Sequence, residues 1–381
     1  MYLPFDFNLL LAFALRWTST RTITDHEVQI ERPSIHLELA PRWTDHDVAT
    51  RIETRMIVGG RQFRAEEPML QLVMENGRVP SMNYTEEEAI RSHDDKGELG
   101  LVYYEVEAEG TRIWYPVRDT VGKISFGFTV YPRETTVATP PGPRVEYRSN
   151  DGGLVGSGNV FIPTVLEPSS SISNSDEPIV YDLAVRWDLV DAPPGTTTVW
   201  TFGEGTQVRY RGRMETLVNS VYMVGTSIRS YVDPKLPGFG FYYLTPPPAH
   251  FLADPMDMAR EIARLYPAMK EYFVQPSDTY RVFLRESPRG VGGTAFVWSF
   301  LIEWDRGVRI GRGSGESEME RESRADDLYF LVSHEMAHNW PSIQGPPGDQ
   351  EDANTTWFEE GEGRGHCHHI VMSYFRKTFP R

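Results

Sequence analysis

The sequence predicts a multidomain chain in which an all-β domain, spanning about 22–210, precedes an α+β domain over 211–381. Three observations predict it. Up to about Tyr210, apolar and polar residues alternate in short runs separated by Pro, Gly and Ser clusters. Beyond Arg211, helical spacing of apolar residues appears among the strands. At 381 residues, 40% hydrophobic and 24% charged, the chain exceeds one ordinary core.

In the first part, "IHLELA" and "IVYDLAVRW" are the clearest strands. In the second of these, Ile179, Tyr181, Leu183, Val185 and Trp187 share one face by period-two alternation, as in a half-buried strand. "ATPPGPR", "EPSSSISNSDEP" and "DAPPGTT" supply the loops between strands. In the second part, Asp254 is placed to cap a helix whose first position is Pro255. Met258, Ile262, Leu265, Met269 and Phe273 lay one apolar stripe along it, and Pro267 is expected to kink it. "TYRVFLRE" and "AFVWSFLIEW" read as strands, and a polar loop from Arg306 to about Ala325 leads into a second helix, from about Asp326 to Trp340.

Charge and composition narrow the partners. The net charge of -16 opposes a phosphate backbone or an anionic membrane, so no nucleic acid is expected as a partner. No run of about 20 apolar residues exists, so no membrane span is expected and the chain reads as soluble. The apolar stretch near the start has Asp6 and no Lys or Arg before it, which disfavours a signal peptide. A single cysteine, Cys367, forbids an intrachain disulfide. That favours the cytoplasm and leaves secretion open; oligomeric state is left undetermined.

The second helix carries the chemistry. Leu328, Tyr329, Phe330, Leu331, Val332, Met336, Ala337 and Trp340 surround it with apolar side chains, yet His334, Glu335 and His338 sit in its middle. Buried polar groups need partners. His334 and His338 are one turn apart on one face and can both offer a ring nitrogen to Zn²⁺, with Glu335 beside them. An accidental H-E-x-x-H arises roughly once in a hundred chains of this length, and a buried helix makes accident rarer still. Glu335 is the natural general base, taking a proton from water and passing it to a departing amine. The third ligand stays open on chemistry alone, among Glu359, Glu360, Glu362, His366, His368 and His369. Cys367 reads as a small buried side chain rather than a ligand.

"HEMAHNW" and "WFEEG" together resemble the glycyl aminopeptidase family of gluzincins, distant relatives of aminopeptidase N and thermolysin. Members carry H-E-x-x-H-x-W followed by W-x-x-E-G. The resemblance implies His334, His338 and Glu360 as zinc ligands and Glu335 as base, with Trp340 and Trp357 as the flanking tryptophans. It implies a thermolysin-like (gluzincin) catalytic domain and peptide or protein substrates. "YDLAVRWDL" and "FGEG" resemble the family's β domain and its exit, and "GGTAFVWS" its substrate-binding edge strand. Gly292, Gly293, Thr294 and Ala295 would then line the substrate. Where the family has a Glu that receives a free amino group, this chain has Ala295, whose methyl cannot hold an ammonium. The chain ends at Arg381, before the family's helical subdomain and transition-state tyrosine, so the catalytic domain is expected to be incomplete at its C-terminal helical part. The resulting expectation is a zinc-dependent peptidase. The alternative is a catalytically impaired relative acting as a binding module, and a structural zinc protein lacks an evident fourth ligand.

Overall fold

The computed structural model of the chain describes residues 32–44, 48–73, 90–106, 110–132, 148–150, 152–167, 178–244, 255–273, 279–287, 292–305 and 331–339. These residues form four sheets and few helices.

Alternation builds the largest sheet. In Ser34–Trp43, Ile35, Leu37 and Leu39 are fully buried while the residues between them are not. This strand lies antiparallel to Ala49–Gly59 and parallel to Tyr181–Trp187, with Leu37 opposite both Met56 and Val185. Tyr181, Leu183, Val185 and Trp187 are buried and Asp182 and Arg186 exposed, the alternation expected of this strand. Seven strands complete the sheet, in the order Gln207–Gly212, Tyr181–Trp187, Ser34–Trp43, Ala49–Gly59, Ile124–Val130, Arg91–Asp94 and Gly97–Glu98.

A five-stranded sheet orders Gly203–Glu204, Thr197–Trp200, Val221–Gly225, Gly153–Ser157 and Arg148–Asn150. A four-stranded one orders Thr164–Val165, Leu70–Val73, Thr111–Pro116 and Leu101–Val106. The boundary expected at 210 and 211 falls within the single strand Gln207–Gly212, and Val221–Gly225 beyond it pairs back onto Gly153–Ser157 and Thr197–Trp200.

The fourth sheet positions the candidate site. Its order is Arg229–Val232, Phe239–Tyr243, Tyr280–Ser287, Ser299–Asp305 and Gly292–Phe296. The three central strands are parallel, and the two outer ones antiparallel to their neighbours. Parallel neighbours need a long crossover, and the helix Pro255–Phe273 supplies the one between Phe239–Tyr243 and Tyr280–Ser287. Met258, Ile262, Leu265 and Met269 are buried as its stripe requires, and the helix runs through Pro267 to Phe273.

Its central strands are buried on both faces, which is why Phe239–Tyr243 reads as a continuous apolar run. Phe241, Tyr243, Val282, Leu284, Phe300 and Ile302 pack with the helix. Tyr242, Phe283 and Leu301, on the other face, join the core of the preceding sheets. One expectation needs correcting: "AFVWSFLIEW" is a hairpin rather than one strand. The edge strand Gly292–Phe296 turns at Val297 and Trp298 into Ser299–Asp305, with Trp298 in the left-handed region at φ 50°. The loop expected from Arg306 lies outside the described residues. No described helix is long and apolar enough to cross a membrane.

Candidate metal centre

Residues 331–337 are helical, and His338 and Asn339 follow in a turn. Val332 and Met336, one turn apart, are buried in the core beneath the fourth sheet together with Ala337. That docking fixes the helix's rotation. At 100° per residue it sends His334 and His338 to the far side, where both are half-buried, and Glu335 to the flank, where it is buried.

The two imidazoles converge. His334 Nε2 lies 3.1 Å from His338 Nε2, with the ring planes 85° apart. Two nitrogens bound to one tetrahedral Zn²⁺ at about 2.0–2.1 Å sit about 3.3 Å from each other. The pair therefore fits a shared divalent ion with little adjustment. With one ring in the donor tautomer the same contact is a hydrogen bond.

Glu335 packs against the edge strand. A Cβ built on Gly293 would fall 2.6 Å from Glu335 Cγ and 2.9 Å from its Cδ and Oε1. Only a glycine lets the strand's backbone come so near the carboxylate. Along that strand Gly292 and Phe296 are buried, and Gly293, Thr294 and Ala295 are half-buried. Gly293 pairs with Ile302 and Ala295 with Phe300, which leaves the strand's other edge unpaired among the described residues.

Two residues at the site carried no signal in the sequence reading. The Asn339 carboxamide is buried beside the helix end, within 3.3 Å of the Tyr280 hydroxyl. Tyr280 begins a central strand and is fully buried. Burial pushes its phenol well above the ordinary value, and Tyr266 and Glu335 add to the shift. Asn339 follows a metal-type histidine directly, which could have singled it out; Tyr280 is 59 residues away and nothing local marks it.

Glu360, expected as third ligand, lies outside the described residues, as do Glu359, Glu362, Trp340, Trp357, His366, Cys367, His368 and His369. Among the described residues no three His, Cys, Asp or Glu side chains gather as a metal site. His334, Glu335, His338 and Gly292 to Ala295 are all described, and Gly293 and Glu335 are the pair that joins strand to helix.

The sequence matches no family model and no curated protein. Solved structures do resemble the fold. An aminopeptidase N family protein from Idiomarina loihiensis superposes with a TM-score of 0.58 at 14% identity, over 88% of this chain and 55% of that one. A two-domain M1 zinc metallopeptidase variant bound to L-tryptophan gives 0.47 at 13% identity, over 92% of this chain and 72% of that one. An M1 zinc metallopeptidase variant from Deinococcus radiodurans gives 0.46 at 12% identity, over 91% and 71%. This chain thus spans little more than half the length of the first, and its strand-rich fold is that of the aminopeptidase N family structure.

Proposed function

We propose that this chain is a zinc-dependent peptidase of the gluzincin kind, acting on peptides or proteins. The observation that carries the reading is the 3.1 Å convergence of His334 and His338 beside Glu335, itself pressed against the sheet-edge glycine Gly293. His334, His338 and Glu360 would hold the metal. Zn²⁺ held there supplies Lewis acidity, polarising a scissile carbonyl and acidifying water. Glu335 accepts the proton of the attacking water and returns it to the departing amine. Its burial and close packing on Gly293 confine the carboxylate between the two transfers. The edge strand offers main-chain groups on its unpaired side, against which an extended peptide would lie as an added strand.

Division into a β domain and a thermolysin-like catalytic domain, and kinship with glycyl aminopeptidases, belong to the same proposal. Ala295 favours a second reading, a catalytically impaired relative that binds peptides without cutting them, because its methyl stands where the resemblance calls for an ammonium-binding carboxylate.

The test is zinc content and cleavage of a mixed peptide library by the chain and by Glu335→Gln. Hydrolysis by the unchanged chain and none by the variant, with zinc bound in both, is expected. Cleavage by both, or by neither, overturns the peptidase reading.

A further inference from the structure

Regular helix ends at residue 337, one residue short of the second histidine. The bond that would hold His338 in the helix, from its N–H to the His334 carbonyl, is stretched to 3.4 Å. The next bond tightens to a three-residue step, from the Asn339 N–H to the Met336 carbonyl at 3.1 Å. Helical geometry alone therefore leaves the His338 ring weakly specified, although its Nε2 must meet that of His334.

The Asn339 side chain adds a restraint at this point. Its Nδ2 donates among three acceptors: the Tyr280 hydroxyl at 3.3 Å, the Glu335 carbonyl at 3.4 Å and the Ser299 carbonyl at 3.5 Å. The Glu335 carbonyl belongs to the helix's last turn, where carbonyls lack helical donors. Tyr280 and Ser299 are the first residues of two central strands of the fourth sheet. Ser299 is itself anchored, its hydroxyl 3.0 Å from that of Thr201 in the preceding core. One carboxamide thus ties the end of the histidine-bearing helix to two strands, and through one of them to the rest of the molecule. Asn339 is buried, so water does not compete for these bonds.

We propose that Asn339 is a positioning residue that sets the bite of the His334 and His338 pair and thereby the affinity for the metal ion. The proposal rests on the metal reading above. Groups hydrogen-bonded to metal ligands typically change affinity about 10- to 100-fold when removed, and we take that range as the scale for a residue that holds the ligand-bearing backbone.

Metal-free protein, unchanged and as Asn339→Ala, is titrated with Zn²⁺ against a chromophoric chelator and with Co²⁺ read by its visible absorption. Expected are Zn²⁺ binding weaker by about 10- to 100-fold in the variant, an altered Co²⁺ spectrum, and unaltered circular dichroism. Unchanged affinity and spectrum overturn the proposal. Should Asn339→Ala fail to fold, Asn339→Leu keeps much the same volume, removes both donor hydrogens without adding charge and is read in the same way. A separate measurement, the imidazole nitrogen NMR shifts in metal-free protein, reports the ring contact directly and is expected to move in the variant. If the unchanged chain takes up no Zn²⁺, the peptidase reading fails, and the nitrogen shifts alone decide on Asn339; shifts identical to those of the unchanged chain would refute its role.

Discussion

Gly293 and Glu335 pack so closely that a methyl added to the glycine would lie 2.6 Å from the glutamate's Cγ. Strand and helix are thus set at a spacing that the missing side chain alone permits. Gly293→Ala must push the carboxylate aside, and we expect hydrolysis to fall at least tenfold in kcat with zinc content unchanged, since a displaced base loses proton-transfer geometry. A double-mutant cycle isolates the contact. Gly293→Ala should lower the unfolding midpoint clearly when Glu335 is present and little when Glu335→Ala has removed Cγ and Cδ. Equal losses in both backgrounds would show that the clash is not with Glu335.

Ala295 predicts which peptides are cut. It is half-buried in the edge strand, opposite Phe300, and brings no charge to the edge along which we propose that a peptide lies. Acetylated and free peptides should therefore be cleaved at comparable kcat/KM. Ala295→Glu should shift the preference towards free amino ends by pairing with the ammonium. Strong preference for free ends by the unchanged chain would mean that another group holds the amine.

How far the sequence discloses this site depends on distance along the chain. His334, Glu335 and His338 are legible because their relation is local, a helical turn, and Val332 and Met336 fix the helix face by the same period. The hairpin inside "AFVWSFLIEW" is not legible. Val297 and Trp298 are poor turn formers, and the turn is held by distant partners: the Val297 N–H donates to the Asn219 carbonyl at 2.9 Å and the Arg281 N–H to the Trp298 carbonyl at 3.2 Å. Such bonds sustain a left-handed Trp298 that local preference opposes. The parallel pairing of Ser34–Trp43 with Tyr181–Trp187 is hidden for the same reason, although each strand was plain from its alternation.

Asp94 predicts the acid limit of the fold. Its carboxylate accepts both Nη atoms of Arg118, at 2.6 and 2.8 Å, and the N–H groups of Lys96 and Val121 at 2.8 and 2.9 Å. The Arg118 hydrogen bonds first, opposed by burial and aided by the two backbone donors, hold the carboxyl well below the usual carboxylate range. A folded pKa below the unfolded one gives stability that is present above the unfolded value and is lost as pH falls beneath it. Thermal melts should show Asp94→Asn less stable than the unchanged chain at pH about 7, with the gap closing as pH drops below about 4. A gap constant with pH would mean that the bonds contribute equally to both protonation states.

Arg285 and Glu303 predict what joins the fourth sheet to the core before it. They are opposite each other on adjacent parallel strands, both buried, with Arg285 Nε 2.7 Å from Glu303 Oε1 and its Nη1 3.3 Å from the Val155 carbonyl in the five-stranded sheet. Desolvating two charges is costly, and the pair repays that only while both members are present. Glu303→Ala leaves a guanidinium buried without its counter-ion and should cost about 3–5 kcal/mol in urea unfolding. Replacing both, as Arg285→Met with Glu303→Leu, removes the stranded charge and should recover most of that loss. The bond to Val155 is then also missing, worth about 1–3 kcal/mol if its carbonyl finds no water. If the double variant proves as unstable as Glu303→Ala, the ion pair is not what the single change disrupts, and packing of the two aliphatic stems between the sheets takes its place as the cause.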